Sequence, residues 1–179
     1  MDTGADGLLD FVARHHDWAP WVIFALAAGE TTAFVSFFVL ATPVLVGVGA
    51  LVSAGALHFL PIWAGAAAGA LAGSTFSWWV GHRFGRAVLS AGPVTRHPVP
   101  VARALLAFAR WGVLAVFIAH VFAPLTSVVF LIAGVAAIPF WRFQLANVPG
   151  ALLWAWFMPK AGELGGDVGL YLWKALTGA

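Results

Sequence analysis

Glu30 and His120 are ionisable side chains in long apolar surroundings. Glu30 precedes a stretch with no charged residue from 31 to 82, and His120 lies in a second such stretch from 111 to 141. Placing an ionised group in a membrane-spanning segment costs about 2.5–3.5 kcal/mol on insertion scales, so such groups face a cavity or a partner. A carboxylate there can carry a proton or couple to a lipid headgroup; its plainer role is a structural pairing inside a bundle. Histidine titrates near physiological pH and can move a proton or hold a phosphate when charged; an ordinary hydrogen bond is the alternative. Arg83, Arg103 and Arg142 flank the apolar runs. They suit lipid phosphates at the interface, or serve only as topology-determining charge.

No nucleophile constellation accompanies them. Gly-x-Ser-x-Gly, His-Glu-x-x-His and the P-loop are all absent. The other histidines, including His15, His16 and His97, lack metal-ligand spacing with carboxylates, and there is no cysteine. The expectation is a protein that is not an enzyme and uses no metal or cofactor.

The elements that must position these groups are set by composition. The 179 residues are 62% hydrophobic and 9% charged, against about 25% charged in an ordinary soluble domain. A membrane helix needs roughly 20 apolar residues. Stretches such as residues 34–40 are apolar on every face, whereas outer-membrane strands alternate apolar and polar residues. Helices satisfy their own backbone in lipid, so an all-α integral membrane protein follows. The net charge of +2 is carried by residues flanking the apolar runs, which argues against nucleic acid as a partner.

Residues 1–17 hold four Asp and one Arg and read as an interfacial N-terminal segment without a secretory leader. Residues 18–40 predict a first spanning helix entered by Trp18 and Trp21, and the break at Pro43 and Gly47–Gly49 suits a re-entrant hairpin. Residues 61–82 predict the clearest span. They begin a stripe of small residues at Gly65, Gly69, Gly73, Ser77, Gly81 and Gly85, which lets another backbone approach or lines a substrate path. Residues 83–110 carry five Arg and no acid, which places them in the cytoplasm. Within them, residues 101–110 predict an in-plane helix with Arg103 and Arg110 on one face. Residues 111–138 are interrupted at Pro124, giving a second hairpin with His120 beside its tip. Residues 143–158 predict a further span. The tail, 160–179, contains a last apolar stretch at 168–176 that is too short to cross alone. Two halves with interrupted apolar segments in corresponding positions point to a transporter-like site.

The second half also carries a family resemblance. The run from Phe108 through His120 and Pro124 to Gly134, then Pro139-Phe-Trp-Arg-Phe-Gln-Leu-Ala-Asn-Val-Pro-Gly-Ala-Leu-Leu-Trp154, resembles the signature of DedA-type (VTT-domain) membrane proteins. Gly73, Gly81 and Gly85 are similar to that family's glycine-spaced helix end, and Glu30 to its early acidic residue. Pro43, Gly49, Pro124, Gly134, Asn147, Gly150 and Trp154 complete the structural pattern. The sequence departs from it at Ser74, where the family has an acid, and at His120 and Thr126, where it has arginines. Three of four charged positions are thus replaced.

The resemblance implies a DedA/VTT-like domain over residues 18–159: a polytopic helical bundle with two re-entrant hairpins in a pseudo-repeat, in the bacterial inner membrane. It further implies movement of undecaprenyl phosphate or phospholipid, envelope homeostasis and dependence on the proton gradient. The implied partners are membrane lipids, with a homo-oligomer or a membrane partner left open. The other expectation for function is a non-transporting structural or partner-binding membrane subunit.

Overall fold

The computed structural model describes residues 17–33, 35, 42–90, 98–120 and 126–177, and all regular structure among them is helical. The N-terminal segment and Pro124 lie outside the described residues. The helices are α1 (Ala19–Thr31), α2 (Thr42–Ser53), α3 (Phe59–Phe84), α4 (Pro98–Trp111), α5 (Leu114–Ala119), α6 (Thr126–Val135) and α7 (Phe140–Thr177). A 3-10 stretch, Gly85–Ser90, follows α3.

α3 is the mast of the molecule. Its 26 residues rise about 39 Å, enough for a hydrocarbon core of about 30 Å. It is the one helix among the described residues that is both long and apolar enough to cross a membrane. As far as Gly81 the small-residue stripe is consumed inside this chain, whereas nothing among the described residues approaches Gly85. Gly65 packs on the backbone of Pro20, Gly69 on Phe24, and Gly73 on Ala28 and the Thr31 hydroxyl. Both rows advance by four residues, so α1 and α3 run parallel, and only glycine permits so close an approach. Further along, Gly81 packs on the Leu131 carbonyl and Gly134 on the Trp78 carbonyl, which seats α6 against the last turns of α3.

α7 runs antiparallel to α3. The Trp63 indole N–H donates to Leu152 O at 3.2 Å and that of Trp78 to Ile138 O at 3.1 Å. One end of the α3–α7 pair therefore carries Arg83 and Arg142, and the other carries Trp18, His58 and Lys160. Two large apolar cores lie along the pair, with a small third one at Ala33, Val88 and Leu131. Ile23, Leu45, Ile62 and Trp154 belong to the first, and Val116, Phe130, Phe143 and Trp78 to the second.

The short helices leave and regain the same end. α1 starts beside Pro20–Gly65, and α2 returns to His58 with Gly49 against the Pro159 carbonyl. α5 starts at the opposite end, next to Arg142, and α6 returns there at Val135. With 13, 12, 6 and 10 residues, each of the four rises about 20 Å or less, so none spans alone.

Two elements differ from the sequence expectation. The first apolar helix stops at Thr31 instead of running to residue 40, because the Thr31 and Thr32 hydroxyls fold back onto Ala27 O (2.8 Å) and Ala28 O (2.6 Å) while Thr32 turns extended. The expected separation between the span at 143–158 and the segment at 168–176 is absent: α7 continues through Pro149 and Pro159 for 38 residues. At Pro159, packing of α2 on the helix holds the weakened turn.

Large apolar side chains cover the exterior. Trp21, Trp79, Trp141, Leu145, Trp156 and Phe157 are exposed. Soluble monomers rarely expose contiguous apolar surface on this scale, whereas a lipid-facing exterior requires it.

Candidate functional site

Most buried polar groups among the described residues fall into two clusters, one at the inner end of each helix pair. The first is built on α1 and α3. The Ser77 hydroxyl lies 2.9 Å from both Thr31 O and Gly73 O and accepts from the Ala33 N–H at 2.7 Å. It thereby closes the buried C-terminal end of α1, whose last carbonyls have no helical partner. Glu30 is buried here, at 8% exposure, and is engaged with its surroundings. Ser74, at the position where the family pattern has an acid, is fully buried and donates to Leu71 O of its own helix at 3.2 Å. The site therefore holds a hydroxyl where a charge was expected by resemblance.

The second cluster crosses from α3 to α7 and on to α5. Gln144 Nε2 donates to Thr75 Oγ1 at 2.9 Å, and Asn147 Nδ2 donates to Gln144 Oε1 at 2.8 Å. One turn beyond Asn147, Gly150 faces His120, and a Cβ there would come within 2.8 Å of His120 Nδ1. His120, at 1% exposure, packs its ring on Phe130 with centroids 4.9 Å apart. Its Nδ1 lies 3.1 Å from Val116 O. A carbonyl only accepts, so Nδ1 carries the hydrogen and Nε2 presents a lone pair. Nε2 and the Asn147 Oδ1 are both buried and receive no hydrogen bond among the described residues. Leaving such an acceptor unsatisfied costs about 1–3 kcal/mol. Each of them is suited to an incoming donor such as water or a hydroxyl.

Glu30 and His120 lie on different helix pairs, Glu30 within α1 and His120 directly after α5. The contacts of His120 run to Val116, Phe130 and Gly150, whereas Glu30 sits on α1 beside α3. Of the interfacial arginines, Arg83 and Arg142 are exposed at the same end, and Arg83 lies over the Phe84 ring. Arg103 lies on α4, whose Ala104, Ala107 and Phe108 pack inward while Leu105 and Leu106 face out. Of the pattern residues, Gly150 and Asn147 belong to the second cluster and Trp154 to the first core, while Pro43 begins α2 and Gly85 follows α3 with φ 55°. Sequence reading missed Gln144 and Thr75. Gln144 had a signal, since it stands three residues before Asn147 in an apolar run; Thr75 had none.

Comparison with known proteins places this geometry. The VTT domain family matches residues 39–164, which takes in α2 to most of α7 and begins after Glu30. The chain is 24% identical over 156 residues to the inner membrane protein YabI of Escherichia coli, covering 87% of this chain and 61% of that one. It is 37% identical over 118 residues to the uncharacterized membrane protein Rv2637 of Mycobacterium tuberculosis, covering 63% of this chain and 54% of the relative. The chain thus spans little more than half the length of these relatives. No solved structure matches. An all-helical apolar bundle with a family match across most of its length is a bacterial membrane protein, and the chain belongs to the VTT-domain (DedA) family.

Proposed function

We propose that this protein moves a membrane lipid, undecaprenyl phosphate or a phospholipid, across the bacterial inner membrane as a multi-pass transporter or scramblase-like protein. The observation that carries the reading is the polar relay Thr75–Gln144–Asn147 beside His120, with the His120 Nε2 and Asn147 Oδ1 acceptors buried and left open. Polar groups at such depth are functional by default, and irregular backbone is tolerated where it lines a cavity. The α1–α2 and α5–α6 pairs, which enter from opposite ends of α3, read as two re-entrant hairpins of an inverted pseudo-repeat. Such interrupted helices frame binding sites in secondary transporters. Arg83, Arg103 and Arg142 meet lipid phosphates at the cytoplasmic face, and Glu30 and His120 serve the inward path, with the proton gradient as a driving force. No chemical step on the lipid is part of the reading. The alternative, a partner-binding subunit, drew on the small-residue stripe, and Gly65, Gly69, Gly73 and Gly81 pack within the chain.

The test is translocation of labelled undecaprenyl phosphate and phospholipid by the purified protein in liposomes, with and without a pH gradient. Activity that falls at least tenfold in His120→Ala and Glu30→Gln supports the reading. Equal activity in those variants, or none in folded wild-type protein, overturns it.

A further inference from the structure

An open apolar groove of about 520 Å³ runs between α5 and α7, lined by Val113, Leu114, Phe117, Leu145, Ala146 and Pro149, with Arg142 at its mouth. Its size falls in the range of small-molecule sites. From Arg142 to Pro149 the helix rises about 10 Å, which sets the length of the groove. Its origin is local. Gly112 takes φ 54° and turns the chain from α4 into α5, which lays Val113, Leu114 and Phe117 alongside the first turns of α7. Small Ala146 leaves the space between them.

Three observations say what fits there. The walls are wholly apolar below the mouth, so the occupant is a hydrocarbon chain. Arg142 is exposed and has no ion-pair partner among the described residues, so a single guanidinium stands uncompensated at the rim. Trp141, at 76% exposure, and Trp111, at 43%, flank the same end, and tryptophan marks the headgroup level of a bilayer. An apolar slot that descends from a free cation at headgroup depth is complementary to one molecular class.

We infer that the α5–α7 groove holds a resident anionic phospholipid, one acyl chain along Leu114, Phe117 and Pro149 and its phosphate on Arg142. The site opens to the exterior and is separate from the buried cluster at His120. The inference needs only the membrane location of the chain and stands whether or not the protein moves lipid.

Native mass spectrometry of the detergent-purified protein, titrated with phosphatidylglycerol or phosphatidylcholine, tests it. The wild type retains one phosphatidylglycerol in preference to phosphatidylcholine. Arg142→Gln lowers phosphatidylglycerol occupancy about fivefold, the effect of one interfacial arginine on an anionic lipid, and abolishes the preference. Arg142→Lys keeps most of it, and Leu114→Glu, an exposed groove position, weakens both lipids. Lys160→Gln removes one cation at the far end and changes nothing. The proposal is overturned if the wild type shows no preference, if Arg142→Gln binds like wild type, or if Lys160→Gln matches its loss.

Discussion

His120 and Gly150 constrain each other at the scale of single atoms. A Cβ at position 150 would sit 2.8 Å from Nδ1 and 3.2 Å from Cγ of a ring already enclosed by Phe130 and α5. Gly150→Ala is therefore expected to destabilise the folded protein by about 1–3 kcal/mol. Thermal unfolding in detergent checks this, and an unchanged midpoint would show that the ring has room to move. Gln144 carries a second expectation. Its replacement by Leu leaves the buried Asn147 amide without its acceptor, a loss of about 1–3 kcal/mol in the same measurement. Thr75→Val, which removes the other end of the relay, costs less, because Gln144 is only partly buried. His120, Asn147 and Gln144 could be read from the sequence as polar residues in apolar runs. That His120 meets Gly150 could not, since thirty residues of chain separate them.

The stripe on α3 divides its faces at the scale of elements. Gly73 meets Thr31 and Ala28 of α1, whereas Ala72, its neighbour in sequence, is exposed to the surroundings. Gly73→Leu is expected to force α1 away and to lower stability by about 3 kcal/mol or more, while Ala72→Leu leaves it within about 0.5 kcal/mol. A comparison of the two unfolding midpoints decides whether α1 is seated by close backbone contact. The stripe itself was plain in the sequence. Its partner was not, because small residues at every fourth position permit close approach without naming the helix that makes it. α1 does carry matching positions at Pro20, Phe24 and Ala28, but their carbonyls make the contact, and carbonyls are common to all residues.

Among the described residues outside the core, charge is sorted by end across the molecule. Arg83, Arg110 and Arg142 lie at one end, and Asp17, His58 and Lys160 lie at the other. The positive-inside rule predicts that the arginine end faces the cytoplasm. The chain has no cysteine, so single introduced cysteines report on topology without interference. In intact cells a membrane-impermeant maleimide is expected to label His58→Cys and to spare Arg110→Cys. Inverted vesicles are expected to reverse the pattern. Labelling of both from one face would contradict the two-ended arrangement, and the reverse assignment would invert the protein in the membrane.

The sequence by itself determined the class of solvent, the helical class, the long apolar helix α3, the arginine-rich segment and the family pattern. These depend on local composition and on spacing along one helix, where each residue contributes independently of the rest of the chain. Only the tertiary structure decided that the glycines of α3 receive α1 and α6, and that α1–α2 and α5–α6 enter from opposite ends. It also decided that Thr75, Gln144 and Asn147 form one relay beside His120, and that an apolar groove opens below Arg142. Each of these depends on which two surfaces meet, and apolar helix faces of similar composition offer many pairings. Hydroxyl bonds at the end of α1, backbone contacts at glycine and indole hydrogen bonds from α3 to α7 and to the turn before it select one of them.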